Sequence, residues 1–163
     1  MIELELEQLA TNLVDGLASF TLSTGRFDKV NQHEPKSAPG SGLTAAIWAD
    51  YIGPSPQGAG LDVTDGLLVL KERLYMPLGS EPEDGIDPAM MSACMVLMAA
   101  YSARFSLGIV DTDGDAAAWI DLRGISRNRL EAAAGYLKYD ERQYRVMTMT
   151  VPVIVDDLWP QGQ

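Results

Sequence analysis

Residues 88–103 read Pro88-Ala89-Met90-Met91-Ser92-Ala93-Cys94-Met95-Val96-Leu97-Met98-Ala99-Ala100-Tyr101-Ser102-Ala103 and contain no charged side chain. Asp87-Pro88 opens the stretch as an N-cap followed by proline at the first helical position, and the helix is expected to run to about Arg104. A helix lying on a sheet needs an apolar face only about 100° wide or somewhat more, with polar residues on the remainder. An uncharged helix is therefore expected to be covered on more than one side, either by its own domain or by a neighbouring subunit. The stretch is shorter than the roughly 20 apolar residues of a bilayer span, so no membrane crossing is expected.

The flanking sequence supplies a second helix and a set of strands. Near the N-terminus Leu6, Leu9, Leu13, Leu17 and Phe20 recur at steps of three or four, which predicts an amphipathic helix ended by Gly25. Residues 26–33 read as a short extended run, and 34–42, with two prolines and two glycines, as an exposed loop. Residues 43–52 read as a strand closed by a turn-rich segment over 53–60. Between 67 and 76 the chain alternates: Leu68, Leu70, Leu74 and Met76 share a face with Glu72, while Lys71, Arg73 and Tyr75 point the other way. That second face is expected to be wet.

Beyond the apolar helix, 105–110 is a candidate strand, 111–115 a turn and 118–122 a short strand. A hairpin follows, with strands at 134–139 and 144–155 joined at Asp140-Glu141. Twelve residues at about 3.3 Å each exceed a typical strand, so the second strand is expected to bend or to pair with another chain. Pro152 within it points to an edge or a bend. The reading is an α+β fold: one domain over 1–163, with a mixed, mainly antiparallel sheet packed against an N-terminal helix and the central apolar helix.

Composition narrows the functions. The chain has 163 residues, with 23 acidic against 12 basic side chains and a net charge of −11. Proteins that grip DNA neutralise phosphates with a basic stripe, and no run of Lys or Arg exists here. Cys94 is the only cysteine, which excludes an internal disulfide and suits a reducing compartment. The start, Met1-Ile2-Glu3-Leu4-Glu5, is acidic where a secretory signal is basic.

No constellation of catalytic or metal-binding residues emerges. Asp111, Asp113 and Asp115 alternate like the start of a calcium loop, but Ala116 and Leu122 replace the glycine and glutamate that loop requires. His33, the only histidine, sits at the mouth of a loop, which fits a surface or interface residue better than a ligand or base. There is no phosphate-binding glycine loop. The acid pairs Glu81 with Glu83 and Asp156 with Asp157 read as solvated, and the methionines of the apolar helix as packing groups. The chain is expected not to be an enzyme, with no cofactor and no metal.

Several stretches resemble the tail terminator proteins of long-tailed, non-contractile bacteriophages, particularly those of actinobacteria. They are Arg26-Phe27-Asp28-Lys29-Val30-Asn31-Gln32-His33-Glu34-Pro35-Lys36, residues 39–48, Ile86-Asp87-Pro88-Ala89, Leu97-Met98-Ala99-Ala100-Tyr101-Ser102 and residues 144–152. The resemblance implies a structural virion protein that forms a homo-hexameric ring. Such a ring caps the tail tube, ends its polymerisation and presents a docking surface for head and neck connector proteins. Its place is the head-proximal end of the tail, after assembly in the host cytoplasm, and DNA passes its lumen without specific binding. Candidate interface residues within these stretches are His33, Glu34, Lys36, Arg145, Thr148 and Thr150. The alternatives are a head-to-tail connector or tail-completion subunit and, in a different class, a small ligand-binding or enzymatic α+β domain.

Overall fold

The structure is a computed structural model that describes residues 3–35, 42–59, 63–79, 83–104, 106–110 and 113–160. The N-terminal apolar period becomes helix α1, Glu3–Ser23, with Leu13, Leu17 and Ala18 buried and Glu7, Gln8, Asn12 and Asp15 exposed. Gly25 ends it at φ +70°, a left-handed turn that glycine adopts without steric cost. Then come β1 (Lys29–Asn31), β2 (Thr44–Ala59) and β3 (Val63–Pro77). After a single 3-10 turn at Glu83–Gly85 follow α2 (Ile86–Ala103), β4 (Ala118–Ile120), β5 (Glu131–Tyr139) and β6 (Arg142–Pro160).

One six-stranded sheet carries both helices, in the order β1-β2-β3-β6-β4, with β5 also paired to β6. Among the described residues only β1 and β2 are parallel, and every other pair is antiparallel. The fold is thus α+β as read from the sequence. Alternation along β3 and β6 turns Leu70, Leu74, Met149, Val151 and Val153 toward the helices, where they meet Leu13, Leu17, Met90 and Leu97 in the main core. Each of these fully buried aliphatic side chains contributes about 1.5–3 kcal/mol by leaving water.

The longest strand departs from its sequence reading. β6 has 19 residues, yet it needs no second chain: β3 pairs with it from Tyr144 to Pro160, and its other edge is shared by β5 and then β4. Pro152 therefore lies in the central strand, not at an edge. Its carbonyl accepts the Asp121 amide at 2.9 Å, so the missing N–H faces the gap where β5 has ended opposite Thr150 and β4 begins opposite Val153. No bond to β3 is lost. Near its end β6 bulges, three residues facing Asp65 alone, and a Cβ at Gly66 would run into the Leu158 side chain that fills the bulge.

Other readings are corrected in the same way. β2 does not stop at Ile52 but continues through Gly53-Pro54-Ser55-Pro56, because its outer edge beyond Ala46 has no partner strand among the described residues and tolerates proline. Of the strand expected over 105–110, Phe105 lies outside the described residues, 106–108 form turns with Leu107 and Gly108 both at positive φ, and Val110 makes only an isolated antiparallel bridge to Ala116. Asp87 is not the N-cap of α2. Gly85 holds that position without a side-chain bond, and Pro88 still falls in the first turn, where its absent N–H has no partner to lose.

Covering of α2 by its own domain on several sides is not what the chain achieves. Ile86, Met90, Ala93, Cys94, Leu97 and Tyr101 pack inward, whereas Met91 and Met95 are 55% and 63% exposed. The helix reaches the length and mean hydropathy, 1.3, of a bilayer span, but its inward face is part of the sheet's core. Leu97→Ala is expected to cost about 2–5 kcal/mol and Met95→Ala less than about 0.5 kcal/mol in denaturant unfolding of the isolated chain. Equal costs would mean that the helix is turned the other way.

Candidate functional site

The alternation of residues 67–76 places one acid among leucines. Glu72 is fully buried, its two oxygens 2.5 Å from Thr21 Oγ1 of α1 and 2.5 Å from the Tyr101 hydroxyl of α2. Burial pushes its pKa up to about 7, against the opposing pull of the two hydroxyl contacts. Thr21 has one proton and three oxygens in reach, Glu72, the Leu17 carbonyl at 2.8 Å and, farther off at 3.3 Å, the Tyr101 hydroxyl. With Glu72 neutral, its own O–H donates to Thr21, Thr21 donates to Leu17, and Tyr101 donates to the second carboxyl oxygen. Every group is then satisfied, and ionisation would take the Thr21 proton from Leu17. Burial first, and Glu72 second, push up the pKa of both Tyr101 and the Cys94 thiol.

Among the described residues Glu72 has no exposed surface. Two surface depressions are lined elsewhere, one of about 290 Å³ by residues 119–123 and Ile125 and one of about 490 Å³ by Leu78, Asp84, Ile86, Asp87, Tyr136 and Arg145. In the first, the Asp121 carboxylate accepts the amides of Arg123, Gly124, Ile125 and Ser126. Its pKa is lowered because those bonds, led by Ser126, outweigh the largest single influence, burial, which raises it. Asp121 is a loop organiser.

The candidate interface residues fall in three places. Thr148 and Thr150 lie on the helix-free face of the sheet, where Thr148 accepts Arg73 Nε and Thr150 accepts Lys71 Nζ, both at 2.8 Å. Arg73 also lies 5.1 Å over the Trp48 ring. Arg145 works on the opposite face: it pairs with Asp87 at 2.9 Å, donates to the Gly135 carbonyl at 3.2 Å and lies 4.5 Å over Tyr136, tying α2 to the β5–β6 hairpin. His33 and Glu34 are exposed beyond β1, and Lys36 lies outside the described residues.

Next to the threonine pairs, the helix-free face is dry, not wet. Tyr75 and Tyr144 are fully buried there, packed edge to face with ring centroids 6.3 Å apart and covered further by Tyr139, Trp48 and Leu137. Sequence reasoning missed this second cluster because its residues come from four strands. Asp65, Asp156 and Asp157 bring carboxylate oxygens within 4.8 Å of one another, but Asp65 already accepts the Asp157 amide, and hard cations take six or more oxygens. No protein-family model matches the chain, and no curated protein matches it.

Glu72 gives a pH-dependent prediction. Its pKa rises on folding from 4.5 to about 7, so the folded chain retains a proton that the unfolded chain releases between those values. That contribution to stability is full below about pH 4.5 and is lost as pH rises through 7. Relative to Glu72→Gln, the native chain is expected to lose up to roughly 3 kcal/mol between pH 4 and pH 8. Denaturant midpoints of both proteins across this range measure it; a constant difference would mean that Glu72 titrates as in water.

Proposed function

We propose that the chain is a subunit of a hexameric ring that caps the tail tube of a long-tailed, non-contractile bacteriophage, ends tube growth and offers head and neck proteins their docking surface. The observation that carries this reading is the outward face of α2. From Pro88 to Ala103 it has no charge, and Met91 and Met95 stand more than half exposed in a chain of net charge −11. Apolar surface left in water costs about 25 cal/mol per Å², and methionine repacks readily against a partner. A subunit that meets its neighbours along this face recovers that cost by assembly.

The particular ring follows from the resemblance of residues 26–36, 39–48 and 144–152 to tail terminator proteins. The acidic balance suits a channel through which DNA must pass without adhering, since carboxylates repel phosphates. Virions made without this protein are expected to carry overlong tail tubes in electron micrographs. Tails of normal length detached from heads would instead assign the chain to the head-to-tail connection.

A further inference from the structure

The last turns of both helices reach the same buried carboxyl. Thr21 stands two residues before the end of α1 at Ser23, and Tyr101 two residues before the end of α2 at Ala103. Glu72 of β3 lies 2.5 Å from each hydroxyl and is fully buried. A helix C-terminus carries roughly half a negative charge, which Lys, Arg or His in the last turn offsets. The last turn of α1 has none of these. An anion at Glu72 would therefore sit beside the negative end of α1 and the Leu17 carbonyl, with no exposed surface at which water could solvate it.

Among the described residues no opposite charge pairs with Glu72. From α1 the carboxyl is faced by Thr21 and Leu17, and from α2 by Tyr101 and the Cys94 thiol, which stay protonated because burial first and Glu72 second push their pKa values up. Ile47 of β2 and Met149 of β6 stand opposite it on the adjacent strands. Lys71 and Arg73 flank it on β3 but turn to the other face of the sheet, where they bond Thr150 and Thr148. Arg104, the first residue past α2, is exposed and lies 5.9 Å over the Phe20 ring.

We propose that Glu72 is a pH-sensitive latch: protonated, it holds the last turns of α1 and α2 on β3, and ionised, it releases both while the strands stay paired. The proton passes to water, and the charge left behind is solvated only when water enters between the helix ends and the strand. The helix ends give way first because of how each side is held. β3 is hydrogen-bonded to β2 and to β6 on both sides of Glu72. Helix ends fray, and a local opening costs less than unfolding the whole chain. Burial sets the working range, since it pushes the Glu72 pKa up to about 7. Below that pH the latch is closed, and above it the latch is open. Lost stability alone would weaken the chain everywhere; the latch opens it in one place. All its groups lie within one copy, so it does not rest on the ring reading.

Hydrogen–deuterium exchange of the isolated chain tests this. At about pH 5.5 the amides of residues 19–23 and 99–103 are expected to be protected, and at about pH 8.5 to have lost about tenfold or more of that protection relative to their intrinsic rates, while β3 and β6 amides stay protected. Returning the chain to the lower pH should restore it. In Glu72→Gln, whose amide cannot ionise, the helix ends are expected to stay protected at both pH values. Carbon NMR of the Glu72 carboxyl in the native chain should titrate with the midpoint at which protection is lost, which ties the opening to this group without any variant. Helix ends equally protected at both pH values, strands that become as exchangeable as the helix ends, or a carboxyl midpoint separate from the opening would each overturn the latch.

Discussion

A carboxyl group sealed in the core holds the two helices to the sheet. Glu72 on β3 meets Thr21 of α1 and Tyr101 of α2, and those contacts also reach the Leu17 carbonyl. An ionised carboxylate in such surroundings is expensive, and a neutral one with all its bonds made is not. The neutral form therefore fits the geometry, with one proton for each acceptor. Apolar packing would press α1 and α2 onto the sheet in many rotations and slides; three hydroxyl-bearing groups at fixed distances allow far fewer. The inward face of α2 is fixed in this way, and its outward face, with Met91 and Met95, is fixed as a consequence.

The two faces of the sheet have different work. The helix side carries the main core around Leu17, Leu74, Leu97 and Val151. Opposite it, Tyr75, Tyr144 and Val146 form a small dry cluster that borders Arg73 and Lys71. A sheet of six strands with two helices leaves much of its second side without cover. Two parts of the surface stand apart: the outward side of α2, where Met91 and Met95 are more than half exposed, and the helix-free side of the sheet, where Lys71 and Arg73 are half-buried.

Local patterns were legible where one element alone decides its own structure. The leucine period of α1, its stop at Gly25, the hairpin at Asp140-Glu141 and the alternation of residues 67–76 all read correctly, and with them the α+β class. Errors arose where tertiary neighbours decide. Pro54 and Pro56 look like breakers until β2 is known to have a free edge, and Pro152 looks like an edge residue until β4 and β5 are known to divide the side of β6 that it faces. Asp87 has the chemistry of an N-cap but is taken by Arg145, 58 residues away. Of the candidate interface residues, Thr148 and Thr150 were readable only as polar members of a strand. Their partners Lys71 and Arg73 come from β3, and strand pairing is not written in either segment alone.

In the proposed ring, a neighbouring chain would cover the outward face of α2 that the Glu72 contacts hold in place. Electron cryomicroscopy of the protein bound to the ends of isolated tail tubes tests that most directly. A closed ring of six chains, with Met91 and Met95 covered by a neighbouring chain, is the predicted result. Chains bound singly, or a ring in which the outward face of α2 stays open to water, would contradict it.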